Sequence, residues 1–234
     1  MSGPSRGKAV NCIGFRLQNV YIGRSVIPLR SETMGYQAIQ GATTVGLICS
    51  DGVVLASEKR VSYGRLVAST KGQKVFKLTD TVGLAFAGLM SDMQAMVREA
   101  SAYANLFKLE KNRPISTKAI SKLISNMLFN RRGMPLLMET VVGGYDSDGP
   151  KLYSMDLAGS LIPDDFLAAG SGAQIAIGVL EADYVKDMDC TAGIALAKKA
   201  IKAAIARDAV SGDGIDVLVF RKDGFEEQTV SFRS

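Results

Sequence analysis

The sequence contains no histidine, and this absence excludes several kinds of active site. Ser-His-Asp and Cys-His hydrolases need an imidazole base, and many zinc sites use the same side chain as a ligand. The three cysteines, Cys12, Cys49 and Cys190, lie far apart and form no C-x-x-C pair. We therefore expect free thiols in a reducing compartment. A hydrolase built from this chain needs a different nucleophile and a different base.

Long apolar runs are also missing, and the chain has little excess charge outside its first segment. No run approaches the ~18–20 residues of a membrane span, and residues 1–41 contain no stretch typical of a secretory signal. The net charge is +5. Residues 1–41 hold five basic residues and one acidic residue, which leaves residues 42–234 at only +1. We therefore expect no membrane and no nucleic acid as partners.

The 234 residues divide into two kinds of sequence near residue 41. Residues 1–41 mix Gly, Pro, Ser and Arg with short apolar patches at 20–22 and 26–27. This segment is interpreted as a tail, a removable prosegment or an arm that orders against a partner. From residue 43 onwards, alternating apolar residues predict strands, and the longer periods predict helices. We see no internal repeat and no second domain after residue 42.

The order of these elements predicts the fold class. Ser91 with Gln94 predicts a capping box at the start of the first helix, and Pro114 suits the first turn of the second. Strands joined by hairpins, with helices grouped in pairs, indicate an α+β fold in which helices cover two packed antiparallel sheets. The predicted strands are 44–49, 53–58, 66–70, 74–79, 82–87, 136–145, 151–156, 165–169, 215–221 and 225–232, and the predicted later helices follow Gly172 and span 191–209.

Some residue patterns suggest chemistry but have simpler explanations. Gly170-Ser171-Gly172 lacks the G-x-S-x-G spacing of a serine nucleophile, so it is interpreted as a tight turn. The aspartates at 208, 213 and 216 have no His or Cys nearby, which disfavours a metal site. Lys74 lies in a predicted strand and Glu58 ends an apolar one. These two residues are interpreted either as exposed charges or as a pair that faces across the sheet.

Several motifs, in the same order, resemble a proteasome β subunit of the archaeal type, which is an N-terminal-nucleophile hydrolase. The resemblance begins at the junction 40–46, extends over 42–234 and implies a prosegment at 1–41 before a peptidase domain at 42–234. It implies a four-layer αββα sandwich. The matching motifs are Gln40–Gly46, Asp51–Arg60, Lys74, Ala85–Leu89, Ser125–Leu128, Val142–Asp146, Gly170–Gly172 and Arg207–Gly212.

The resemblance also implies roles for individual residues. In active members, the threonine that follows the cleaved glycine attacks the peptide carbonyl, and its own α-amine accepts the proton. Here Gly41 and Ala42 flank the cleavage point. Lys74 would place a positive charge near the nucleophile, and Glu58 would hold that lysine. The backbone N–H of Gly88 would stabilise the oxyanion, and no metal or cofactor is implied. The expected supporting network is Ser171, Asp208 and Ser211, and the expected substrate pocket is Val61, Phe86 and Met90, with an apolar but shortened site.

Position 42 departs from the family pattern. Alanine has no hydroxyl, so this chain is expected neither to hydrolyse substrate nor to cut its own Gly41–Ala42 bond. Thr43 is a poor substitute because strand geometry points it to the opposite face. Two origins remain open: a threonine-to-alanine replacement that traps the precursor, or a naturally silent ring or assembly subunit. The presence of Glu58 and Lys74 favours the first.

The resemblance implies partners as well. The family forms seven-membered β rings, two of which stack between rings of α subunits. It works with an ATP-dependent unfoldase on unfolded polypeptides, and we expect a cytoplasmic location. The prosegment is expected to act during assembly, as a chaperone or as a shield of the chamber.

Overall fold

The computed structural model describes residues 41–232, together with the backbone of residues 19–22 and 25–28. The chain divides into two compact units, Met1–Ala38 and Ile39–Ser234. In the first unit, strands β1 (Asn19–Ile22) and β2 (Ser25–Pro28) pair antiparallel, with Asn19 opposite Pro28. They contain the two apolar patches noted in the sequence. Most of the predicted prosegment lies outside the described residues.

The second unit contains two five-stranded antiparallel sheets and a small hairpin. The first sheet has the order β12-β3-β4-β13-β14, and the second has the order β11-β10-β9-β8-β7. The strands of the first sheet are β3 (Thr44–Cys49), β4 (Gly52–Glu58), β12 (Phe166–Ala169), β13 (Gly214–Arg221) and β14 (Gly224–Ser231). Those of the second are β7 (Val75–Lys77), β8 (Val82–Gly88), β9 (Met138–Asp146), β10 (Gly149–Met155) and β11 (Ile162–Pro163). The hairpin pairs β5 (Val61–Tyr63) with β6 (Leu66–Ser69).

Four helices cover the sheets: α1 (Met90–Lys111), α2 (Thr117–Asn130), α3 (Ala173–Asp183) and α4 (Cys190–Ile205). One buried apolar cluster joins the first sheet to α3 and α4, and a second joins the other sheet to α1 and α2. A third cluster contains residues from both sheets, for example Leu55 of β4 and Val141 of β9. The predicted four-layer αββα order is therefore confirmed. None of the helices in the described part of the chain is long and apolar enough to cross a membrane.

Two predicted helix starts are wrong. The first helix begins at Met90 after Leu89, which makes no side-chain capping bond, so the predicted capping box at Ser91 does not form. Asp92 in that turn instead accepts a hydrogen bond from Leu137 N at 2.8 Å. The second helix begins at Thr117, where Ser116 Oγ accepts from Ala119 N, and Pro114 precedes the helix. At the first start, a contact distant in sequence replaces the local cap pattern, whereas the second helix uses a local cap and begins three residues after Pro114.

Other differences are small. Helix α4 ends at Ile205 rather than near 209. Two strands were not predicted: β11, and β5, which pairs with β6. Both strands are only two or three residues long, so they carry too little alternation to be recognised from sequence.

Gly143 on β9 allows the two sheets to approach closely. A Cβ at this position would lie 2.8 Å from Val53 Cγ1 and 2.9 Å from Leu55 Cδ2, both on β4 of the opposite sheet. Two packed sheets normally interdigitate side chains across about 10 Å, so a missing side chain on one sheet accommodates a branched one on the other. The sheet spacing therefore depends on glycine here.

We expect Gly143→Ala to lower the free energy of unfolding by about 1–3 kcal/mol, because the added methyl group overpacks the space between the sheets. Gly133→Ala is the matched control, since a Cβ there meets no atom within 4 Å. The control should change stability by no more than about 0.5 kcal/mol. Urea unfolding followed by circular dichroism measures both, and equal effects would contradict the explanation.

Candidate active site

Residues 41–44 lead into strand β3, and their side chains alternate between two environments. Ala42 is fully buried and belongs to the cluster between the sheets that also contains Ala87 and Ala169. Thr43 Oγ1 lies 2.8 Å from Ser211 Oγ. Thr44 Oγ1 donates to Phe86 O at 2.8 Å. Ala42 and Thr43 therefore project towards different groups, as the two-residue period of extended backbone requires.

Glu58 and Lys74 form a buried ion pair. Lys74 Nζ donates to Glu58 Oε1, and it also donates to Arg60 O at 2.5 Å. The other oxygen, Glu58 Oε2, accepts from the backbone N–H of Arg60 at 2.6 Å and of Gly212 at 3.0 Å. Lys74 is 2% exposed and Glu58 0%, so the interpretation as two exposed charges is wrong. The two residues face each other, as the alternative interpretation proposed.

Burial and pairing act in opposite directions on these two groups. Burial raises the pKa of Glu58, while the charge and the hydrogen bond of Lys74 lower it. Burial lowers the pKa of Lys74, while Glu58 and, more weakly, Asp208 raise it. Each charged form thus depends on its partner, because an unpaired charge in an apolar interior is costly. The pair therefore acts as one structural unit.

Ser171, Asp208 and Ser211 form one hydrogen-bonded cluster. Asp208 Oδ2 accepts from Ser171 Oγ at 2.5 Å and from Ser211 Oγ at 2.7 Å. Ser171 Oγ also lies 3.3 Å from Ala42 O, and Gly172 N donates to the same oxygen at 3.4 Å. The structure therefore brings the three predicted network residues together beside the carbonyl of residue 42.

Arg60 connects the ion pair to the loop that carries Ser211, and sequence reasoning gave it no role. Its Nε donates to Asp213 Oδ2 at 2.9 Å and its Nη1 to Ala209 O at 2.9 Å. The hydrogen bond to Asp213 raises the pKa of the Arg60 guanidinium against the opposing effect of burial. Asp213 had been considered only as a metal ligand. The sequence feature that could have indicated a role for Arg60 is its position, two residues after Glu58.

The remaining predicted residues lie on neighbouring elements. Gly88 ends β8 with φ +140°, a conformation that favours glycine, and a Cβ there would overlap with Leu137 O. Phe86 is fully buried in the cluster under α1 and α2, against which Met90 packs, and its ring meets Phe76 edge-on at 5.9 Å between centroids. Val61 begins the separate hairpin strand β5. Their substrate roles stay predictions.

Within the described part of the chain, no three Asp, Glu, Cys or His side chains are grouped so that they could hold a metal ion. The groups that contact the carbonyl of residue 42 are the Ser171 hydroxyl and the Gly172 amide, and the carboxylate of Asp208 accepts from that hydroxyl. Groups of this kind can transfer protons and donate hydrogen bonds to an oxyanion.

We expect Glu58→Gln and Lys74→Met each to lower the free energy of unfolding by about 3–5 kcal/mol, because each leaves its partner as a buried unpaired charge. The double variant should lose at least about 1 kcal/mol less than the sum of the two. Urea unfolding of all four chains measures this difference.

The exposed pair Lys199–Asp183, 2.6 Å apart, supplies the control for that cycle. Lys199→Met and Asp183→Asn should show a coupling of no more than about 1 kcal/mol. Strictly additive effects of the Glu58 and Lys74 substitutions would show that the buried pair is not coupled.

Residues 39–220 match the family described as "Proteasome subunit". The chain is 49% identical over 187 residues to "Proteasome subunit beta 2" of Thermofilum pendens, an alignment that covers 80% of this chain and 92% of the relative. It is 49% identical over 191 residues to "Proteasome subunit beta 1" of Hyperthermus butylicus, with 81% and 94% covered.

A third relative, from a different archaeal genus, shows the same extent of similarity. "Proteasome subunit beta" of Methanocaldococcus vulcanius is 45% identical over 188 residues, with 80% of this chain and 84% of the relative covered. The matched region takes in all four helices, the cluster beside residue 42, and both sheets except strand β14 and the last residue of β13. The chain therefore belongs to the proteasome subunit family, and it is similar to the archaeal β subunits of that family.

Proposed function

We propose that this chain is a β subunit of a proteasome core particle, a threonine-type endopeptidase, in a precursor form that lacks the nucleophile. The observation that carries the proposal is the arrangement around residue 42. Ser171 of the Ser171–Asp208–Ser211 cluster lies 3.3 Å from Ala42 O, and Glu58 of the buried pair donates its backbone N–H to Thr43 O at 3.1 Å, although Ala42 has no hydroxyl for these groups to act on. A buried charged pair is expensive to maintain, so its presence is most simply explained by catalysis.

The proposed chemistry applies to a chain with threonine at position 42. The hydroxyl of that residue would attack a peptide carbonyl, and the free α-amine of the same residue would accept the hydroxyl proton. An α-amine has an ordinary pKa of about 7.7–8.0, so it can serve as a base without histidine. Lys74 has three N–H donors, and Glu58 and Arg60 O accept two of them. We assign the third to the oxygen at position 42.

The other groups of the site would act on the substrate and on the amine. The backbone N–H of Gly88 would stabilise the oxyanion, an interaction typically worth about 3–4 kcal/mol. Ser171, Asp208 and Ser211 would hold the amine of residue 42. Val61, Phe86 and Met90 would line the substrate pocket, and the bulk of Phe86 would keep that pocket apolar and short.

Ala42 explains why the proposed precursor stays intact. Without a hydroxyl at this position, the Gly41–Ala42 bond has no internal nucleophile, and residues 1–41 remain attached as a propeptide. We favour a threonine-to-alanine replacement over a naturally silent subunit, because a silent subunit would have no need of the buried pair. The silent structural subunit is the alternative, and it rests on Ala42 itself.

The proposed assembly and location follow from the family. We place the chain in heptameric β rings, two of which stack between α rings, in the cytoplasm. An ATP-dependent regulator would deliver unfolded polypeptides to the chamber. The propeptide would act during ring assembly.

The first test restores the missing hydroxyl. When Ala42→Thr is assembled with α subunits, we expect release of residues 1–41 and peptide cleavage at least about a thousandfold above the Ala42 chain, since the nucleophile dominates catalysis. Mass spectrometry and a fluorogenic peptide series measure the two effects. Ala42→Val is the matched control, because valine has the shape of threonine without the oxygen, and it should remain inactive. Intact precursor in the fully assembled Ala42→Thr particle would instead support the silent subunit.

The second test concerns the residue before the cleavage point. A Cβ on Gly41 would overlap with Val210 Cγ2 and lie 2.7 Å from Ser171 Oγ. In the Ala42→Thr chain, we therefore expect Gly41→Ala to slow self-cleavage by about tenfold or more, because the added methyl group displaces the peptide from the site. Val210→Ala should recover part of the rate by making room. Unchanged self-cleavage in Gly41→Ala, measured by the mass of the precursor over time, would contradict this geometry.

A further inference from the structure

We propose that Glu139 is a positioning residue of this site, which holds the turn Gly170–Gly172 against the carbonyl of residue 42. The inference rests on the proposed function, because the effect on catalysis is measured in a chain with the nucleophile restored. None of the motifs in the sequence pointed to Glu139, and its role depends on contacts between the two sheets.

The register of strand β9 places Glu139 on the side of its sheet that faces the other sheet. Glu139 lies directly opposite Ala87 of β8, and directly opposed residues share a face of the sheet. Ala87 belongs to the cluster between the sheets that also contains Ala42. Val141, two residues further along β9, belongs to the same cluster. Glu139 is exposed because it lies near the end of the strand, at the edge of this layer.

The carboxylate of Glu139 contacts the opposite sheet through a single backbone amide. Gly170 N donates to Glu139 Oε2 at 2.7 Å. Gly170 directly follows strand β12 of the first sheet, so the bond spans the two sheets. A hydrogen bond to a charged acceptor is about twice as strong as one between neutral groups. Glu139 thus fixes the direction of the Gly170 N–H.

Gly170 lies against residue 42 itself. It has φ +94°, a conformation that glycine adopts without strain. A Cβ on Gly170 would overlap with Ala42 O and lie 2.7 Å from Ala87 Cβ. The backbone of Gly170 is therefore in close contact with the carbonyl of residue 42, and a small rotation at Gly170 would disturb this contact.

The next two residues of the turn carry the groups that act on the site. Ser171 Oγ lies 3.3 Å from Ala42 O and donates to Asp208 Oδ2, and Gly172 N donates to Ala42 O at 3.4 Å. Both donors come from the two residues after Gly170, so a displacement of Gly170 would also displace both donors. Glu139 acts through this turn rather than on the substrate.

The test uses two measurements. In the assembled Ala42→Thr particle, we expect Glu139→Ala to lower kcat for a neutral fluorogenic peptide by about tenfold, with KM changed less than about twofold, because the nucleophile is misplaced while the substrate pocket is untouched. Glu139→Gln keeps a carbonyl acceptor and should stay within about threefold of the parent kcat. Glu227→Ala, another exposed strand glutamate, is the control and should have no effect.

The second measurement needs no catalysis and uses the chain with Ala42. Hydrogen exchange of peptides spanning residues 167–173 should quicken by about tenfold at one amide in Glu139→Ala and recover in Glu139→Gln. Exchange that is unchanged in Glu139→Ala, or a loss of activity confined to KM, would overturn the proposal. An Ala42→Thr particle without activity would instead overturn the proposed function, and the exchange result would still decide the role of Glu139.

Discussion

The site depends on keeping two opposite charges inside an apolar interior. Neither Glu58 nor Lys74 is accessible to water, so their desolvation must be offset by contacts within the protein. Those contacts come from the backbones of Arg60 and Gly212 as well as from the pair itself. The ion pair therefore forces the end of β4, the approach to β7 and the loop before β13 to meet at one point.

This constraint is extended by a chain of polar contacts. Arg60 binds the loop of residues 209–213 through Asp213 and Ala209 O, and the same loop carries Ser211 to Asp208. On the other side of residue 42, the turn that contains Ser171 is bonded to Asp208 as well. The polar groups are thus already in place in this protein, although its residue 42 has no hydroxyl. Such preorganisation is what electrostatic catalysis requires, because the groups need not reorganise during reaction.

Much of the fold was predictable from the sequence, because strand and helix periods are local properties. The long hairpins and the four helices have strong alternation or helical spacing, so their type and order were predicted correctly. The helix starts at Ser91 and Pro114 were not. In the first turn of α1, Asp92 accepts from Leu137 N, 45 residues away, and at the start of α2 the Thr117 N–H donates to Asp146 Oδ2 at 2.7 Å. Local preference for a cap is worth only about 1 kcal/mol, which a tertiary contact readily overrides.

The sequence by itself determined that any hydrolysis must proceed without imidazole and that residue 42 is an alanine, which has no hydroxyl. The resemblance to a known family indicated that position 42 is the nucleophile position, and it gave expected roles to the residues around it. Only the tertiary structure decided that Glu58 and Lys74 are a buried pair rather than two surface charges, and that Arg60 and Glu139 contact the same site. The physical reason is that burial and bonding between residues far apart in the chain arise when the two sheets pack, and no local pattern encodes that packing.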